Sequence, residues 1–98
     1  TQMILRIFMT VIKEGNMAEK DQLLQNILSR VGQFEYNFGY DSVKAIFVND
    51  YAWKLITTYR IYEMQYFNGG YGCVGRLYGY LTYRYHDDKN APDFYIGV

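Results

Sequence analysis

The 98-residue chain has one cysteine, one proline, one histidine and one tryptophan. Each scarcity excludes something. Cys73 alone cannot close an internal disulfide, and a small secreted domain usually carries several, so a reducing, cytoplasmic (intracellular) compartment is expected. With one proline and half the residues apolar, neither a disordered chain nor a collagen-like or low-complexity fibre fits. Ten basic residues balance ten acidic ones, which removes the general electrostatic pull toward nucleic acid or an anionic membrane that a strongly basic protein would have. The apolar run Met3–Ile12 is interrupted by Arg6 and Thr10 and is too short for a membrane span, so no membrane partner is expected and the run reads as core. A chain of this length buries only roughly 60–65 % of its unfolded surface, enough for a single small domain over 1–98.

The scarcity of histidine and cysteine also limits catalysis. The only local group of metal-ligand types is His86-Asp87-Asp88, which reads as a solvated charged turn, so neither a metal nor another cofactor is expected. Cys73 has no histidine near it in sequence; His86 lies thirteen residues on. Gly69-Gly-Tyr-Gly72 is glycine-rich but lacks the lysine and the strand-to-helix context of a phosphate loop. No spacing joins any two carboxylates in a site. A non-enzymatic protein is the expectation.

The pattern along the chain predicts an α+β domain. Met3–Ile12 is uniformly apolar and branched, which tilts it toward a strand buried on both faces. Asn16 followed by Glu19 forms a capping-box pattern, and Leu23, Leu24, Ile27, Leu28 and Val31 repeat at helical spacing before Gly32, predicting an amphipathic helix over 17–31. Phe34, Tyr36, Phe38 and Tyr40 alternate with polar residues and glycine, and Val43–Val48 is apolar, so 33–48 reads as a hairpin turning at Gly39–Ser42. The segment 51–67 fits two templates. Its branched and aromatic residues favour a long hairpin, 53–67 with 72–85 turning at Gly69-Gly70, with Glu63 opposite Arg76 and Tyr62 opposite Leu77. Gly72, Gly75 and Gly79 then fall inside the second strand, where they permit a bulge or a close backbone approach. The alternative makes 51–67 a second helix and the chain a ferredoxin-like β-α-β-β-α-β fold. Asp87–Asp93 reads as a polar turn, and Phe94–Val98 as a short terminal strand or a segment that docks in a partner.

What the chain does have is tyrosine. Ten of its twelve tyrosines follow residue 50, and between Trp53 and His86 they mingle with Lys54, Arg60, Arg76 and Arg84 against Glu63. The string Arg76-Leu-Tyr-Gly-Tyr-Leu-Thr-Tyr83 resembles the RNA-recognition-motif octet at every position but the second, and in that family the alternating aromatics stack bases. Only fifteen residues follow Tyr83, too few for the helix and strand that family would place there, so the pattern is taken as local. Tyrosines serve as rigid amphipathic anchors and arginines as forked donors in protein interfaces, while the same pair stacks on single-stranded nucleic acid. The expected function is protein–protein interaction or self-assembly through a tyrosine-rich sheet face, as a small regulator, inhibitor or assembly subunit. Tyr59, Arg60, Arg76, Tyr78, Tyr80 and Arg84 are the candidate interface residues. The partner is another protein or a second copy, with single-stranded nucleic acid as the alternative on the same face.

Overall fold

A computed structural model describes the backbone of residues 2–86 and 92–98 and the side chains of 17–86 and 92–98. The chain forms α1 (Gln2–Phe38), β1 (Ala45–Val48), α2 (Asp50–Thr58), β2 (Met64–Gly70), β3 (Cys73–Leu77), β4 (Tyr80–Arg84) and β5 (Phe94–Gly97). The strands make one five-stranded sheet in the order β2-β3-β4-β1-β5, parallel only between β1 and β4, with helices packed on one side. The expected α+β class is what the chain adopts.

The helix expected over 17–31 is present inside a longer one. Residues 3–12 are helical and not a strand, so the Asn16–Glu19 pair lies within α1 and does not start it. Whether Met3–Ile12 is core lies outside the described side chains. Gly32 does not end the helix either, because Ile27, Val31 and Phe34 continue one helical stripe into the core. Residues 33–38 are therefore helix, and the expected hairpin over 33–48 has only its second strand. The alternation that suggested the first strand had no burial behind it: Tyr36 is 89 % exposed, and Phe38 and Tyr40 are exposed as well. Helix α1 stops at Gly39, whose φ of +101° a side chain would resist and whose N–H bonds the Glu35 carbonyl at 2.8 Å. The expected turn follows, closed by Ser42 N–H to the Gly39 carbonyl at 3.1 Å.

The two readings of 51–67 each hold for part of it. Asn49 caps α2, its side-chain oxygen accepting the Ala52 N–H at 2.7 Å, and Ala52, Leu55 and Ile56 turn into the core. The helix ends at Thr58, and Arg60, at φ +45°, reverses the chain toward β2. Neither a strand from 53 nor a helix to 67 forms, and the order is not ferredoxin-like.

The long hairpin is replaced by two short ones, each closed by a Tyr-Gly pair. Tyr71-Gly72 joins β2 to β3 and Tyr78-Gly79 joins β3 to β4; all four residues have positive φ, the conformation of the two-residue turn that matches strand twist. Met64 faces Leu77 and Gln65 faces Arg76, two residues from the expected register, so each side chain keeps its expected face. Of the three glycines expected inside a strand, only Gly75 is there. It sits at a bulge against β4, and a Cβ on it would lie 1.9 Å from the Gln65 carbonyl oxygen, the close approach that glycine allows. The terminal strand is β5, antiparallel to β1. The polar turn at 87–93 falls mostly outside the described residues.

The core joins Leu23, Leu24, Ile27 and Val31 of α1 and Ala52, Leu55 and Ile56 of α2 to Ile46, Val48, Met64 and Leu77 of the sheet. Thr82 is fully buried among them; its hydroxyl accepts the Leu77 N–H at 3.0 Å and donates to the Tyr80 carbonyl at 2.9 Å.

Candidate functional site

Residues paired across a sheet point to the same face, so the register sorts the strands into two surfaces. Ile46, Thr82 and Ile96 share the face under the helices. Ala45 with Leu81 and Gly97, Phe47 with Tyr83 and Tyr95, and Arg76 with Gln65 and Leu81 share the other. Phe47, Leu81, Tyr83 and Tyr95 are absent from the core cluster to which the helices contribute. Among the described residues this face has no helical cover.

Aromatic rings cover it instead. Phe47 and Tyr83 stack at 5.4 Å and 25°, in register on parallel strands. Tyr85, just past β4, packs on Tyr95 of β5 at 5.5 Å and donates its hydroxyl to the Pro92 carbonyl at 2.5 Å. Gly97 makes room for this layer, since a Cβ there would meet the Phe47 ring at 2.9 Å. Tyr95 remains 48 % exposed, and Arg76 reaches from the same face to the Gly79 carbonyl at 3.2 Å. The result is a surface of ring faces with one guanidinium beside it, suited to stacking and apolar burial.

The six residues expected at the interface are divided. Tyr80 lies partly buried against the core, its hydroxyl bonded to Glu35 of α1 at 2.5 Å, a tie that raises its pKa before burial adds to the shift. Tyr59, Arg60 and Tyr78 come together in a groove of about 500 Å³ between α1 and the α2–β2 connection, also lined by Lys20, Asp21 and Glu63. Tyr59 and Tyr78 partly pack on the core there, and Lys20 Nζ sits 5.9 Å from the centre of the Tyr59 ring. Burial, then the charge of Glu63, raises the Tyr78 pKa. Arg76 alone of the six stands on the helix-free face. Arg84 turns to α2, where its Nε bonds Asp50 Oδ1 at 2.7 Å.

Asp50 is also 2.9 Å from His86 Nδ1. The hydrogen bonds from His86 and then Arg84 hold the Asp50 carboxyl below its ordinary range. This group ties the end of β4 to the start of α2. Among the described residues no cluster of three or more His, Cys, Asp or Glu could hold a metal, Cys73 is buried, and no helix is long and apolar enough to cross a membrane.

Sequence reasoning did not count Phe47, Leu81, Tyr83 or Tyr95 among the interface residues, although Leu81 and Tyr83 close the octet pattern. Phe47 looked like one more member of an apolar run, and Tyr95 lies on a strand far along the chain; only the parallel β1–β4 pairing and the return of β5 assemble them. Comparison of the chain with models of protein families, with curated proteins and with solved structures found no match.

Proposed function

We propose that the protein is a non-enzymatic interaction module that binds another protein, or a second copy of itself, through the helix-free face of its sheet. The observation that carries this reading is the pair of ring contacts, Phe47–Tyr83 and Tyr85–Tyr95, on a face outside the shared core. Half-buried aromatic rings, with Tyr95 exposed among them, gain free energy by meeting another apolar surface, and tyrosines lose little conformational entropy in doing so. Arg76 supplies a forked donor at the margin of that face.

The test is capture of partners from the source cell, together with sedimentation of the purified protein. The double variant Tyr83→Ser/Tyr95→Ser is compared with Tyr62→Ser, which alters a tyrosine 96 % exposed at the groove on the helix side. Association lost in the first and kept in the second supports the reading. A strict monomer that captures nothing, or association lost only in Tyr62→Ser, overturns it.

The stacked rings also favour a second reading, single-stranded nucleic acid on the same face, with each base stacking for about 1–3 kcal/mol. It predicts salt-sensitive binding to oligonucleotides that the Tyr83→Ser/Tyr95→Ser variant loses. No binding at low salt removes it.

A further inference from the structure

A second aromatic site lies at the other edge of the sheet, and it does not rest on the reading above. Consecutive strand residues ordinarily face opposite ways. Between the pairs Tyr66–Gly75 and Gly70–Cys73, however, β2 places three residues against one on β3. That irregularity lets Tyr66 and Phe67 line the same shallow cleft of about 360 Å³, with Trp53 of α2 as its third wall and Asn68, Cys73 and Val74 completing it.

The cleft is built by glycine. A Cβ on Gly69 would lie 2.8 Å from Cys73 Sγ and 3.2 Å from the Phe67 ring, so both pack directly on the bare backbone. Trp53 and Tyr66 meet edge to face at 5.8 Å and 64°, and the Tyr66 hydroxyl donates to the Ile56 carbonyl at 3.3 Å. Two of the three rings are thus held in place, yet Tyr66 and Phe67 still expose over two-fifths of their surface.

The polar lining narrows the ligand class. Asn68 accepts the Gly70 N–H through its side-chain oxygen at 3.1 Å, which leaves its NH₂ as the group to offer a ligand. Among the described residues no carboxylate lines the cleft. Burial raises the Tyr66 pKa, and the charge of Arg60 opposes the shift. Aromatic walls alone would suit a quaternary ammonium, but the described lining supplies no counter-charge. A neutral, flat ring with hydrogen-bond acceptors on its edge fits both features.

We infer that the Trp53–Tyr66–Phe67 cleft binds a small planar heteroaromatic molecule of the nucleobase class, its ring stacked on the aromatic walls and its edge met by Asn68. Trp53 is the only tryptophan, so its fluorescence reports the cleft without labelling. Adenosine and uridine are titrated into the full chain, with cyclohexanol and tetramethylammonium as an apolar and a cationic control. Saturable quenching by at least one nucleoside and by neither control is expected. Phe67→Leu keeps an apolar side chain but removes the stacking face, and weakens binding roughly 5- to 100-fold. Asn68→Ala leaves all three rings and weakens it about 2- to 10-fold. Urea unfolding of each variant separates lost binding from lost fold. Quenching that never saturates, an equal response to either control, or affinity unchanged in both variants overturns the assignment.

Discussion

The two faces of the sheet are held by different chemistry. Under the helices, Ile46, Val48, Met64 and Leu77 interlock with α1 and α2, and the buried hydroxyl of Thr82 is fully partnered. On the opposite face Phe47, Tyr83, Tyr85 and Tyr95 pack mainly on each other and on bare glycine. Aliphatic burial fixes the fold on one side. The other side carries large apolar rings that pair with one another outside that core, so their removal is expected to cost the fold less.

The sharpest way to break this division is at Gly75, where the sheet itself depends on a missing side chain. Gly75→Ala forces a Cβ against the Gln65 carbonyl at φ +148° and is expected to cost more than the roughly 1–3 kcal/mol of ordinary backbone strain, up to loss of folded protein. Circular dichroism and urea denaturation read the outcome. On the covered face, Ile46→Ala empties a fully buried site and costs about 2–5 kcal/mol in the same urea titration. Tyr83→Ser on the helix-free face removes one ring pair, worth about 0.5–1.5 kcal/mol beyond the burial of a half-buried ring, and is expected to cost less than Ile46→Ala. Equal losses at Ile46 and Tyr83 would erase the distinction between the faces.

The smallest effect is a pH dependence on the helix side. The Tyr51 hydroxyl donates to the Glu19 carboxylate of α1, and that bond, then burial, pushes the Tyr51 pKa up to about 12. A pKa raised by folding means stability fully present below the unfolded value of about 10 and lost as pH rises toward 12. Tyr80, bonded to Glu35, shifts in the same direction. Thermal melts between these limits should fall less steeply in Tyr51→Phe than in the parent, and an identical slope would show that the bond contributes nothing.

Local periodicity made the middle of α1 legible in the sequence, because it buries a regular stripe, while short apolar runs marked the strand at 45–48 and the terminal strand. It misled at 33–38, where aromatic alternation was not matched by burial, and at Met3–Ile12, where a uniformly apolar run has no period to separate strand from helix. In 51–67 two elements share one segment, and the break at Arg60 rests on a backbone reversal that arginine does not advertise. The Tyr-Gly turns were visible as dipeptides, but Gly69-Gly70 was the stronger turn signal nearby. Tyrosine enrichment pointed correctly to exposed tyrosines. Assigning them to faces needed the β1–β4 and β1–β5 pairings, contacts between residues far apart in the chain.

The central claim is that the helix-free face is the working surface, and hydroxyl-radical footprinting of the protein with and without its captured partner tests it most directly. Protection of Tyr83 and Tyr95 on binding, with Tyr36 and Tyr62 modified equally in both states, is the predicted result. Protection of Tyr62 with Tyr83 and Tyr95 unchanged would contradict it and move the interface to the groove between α1 and β2.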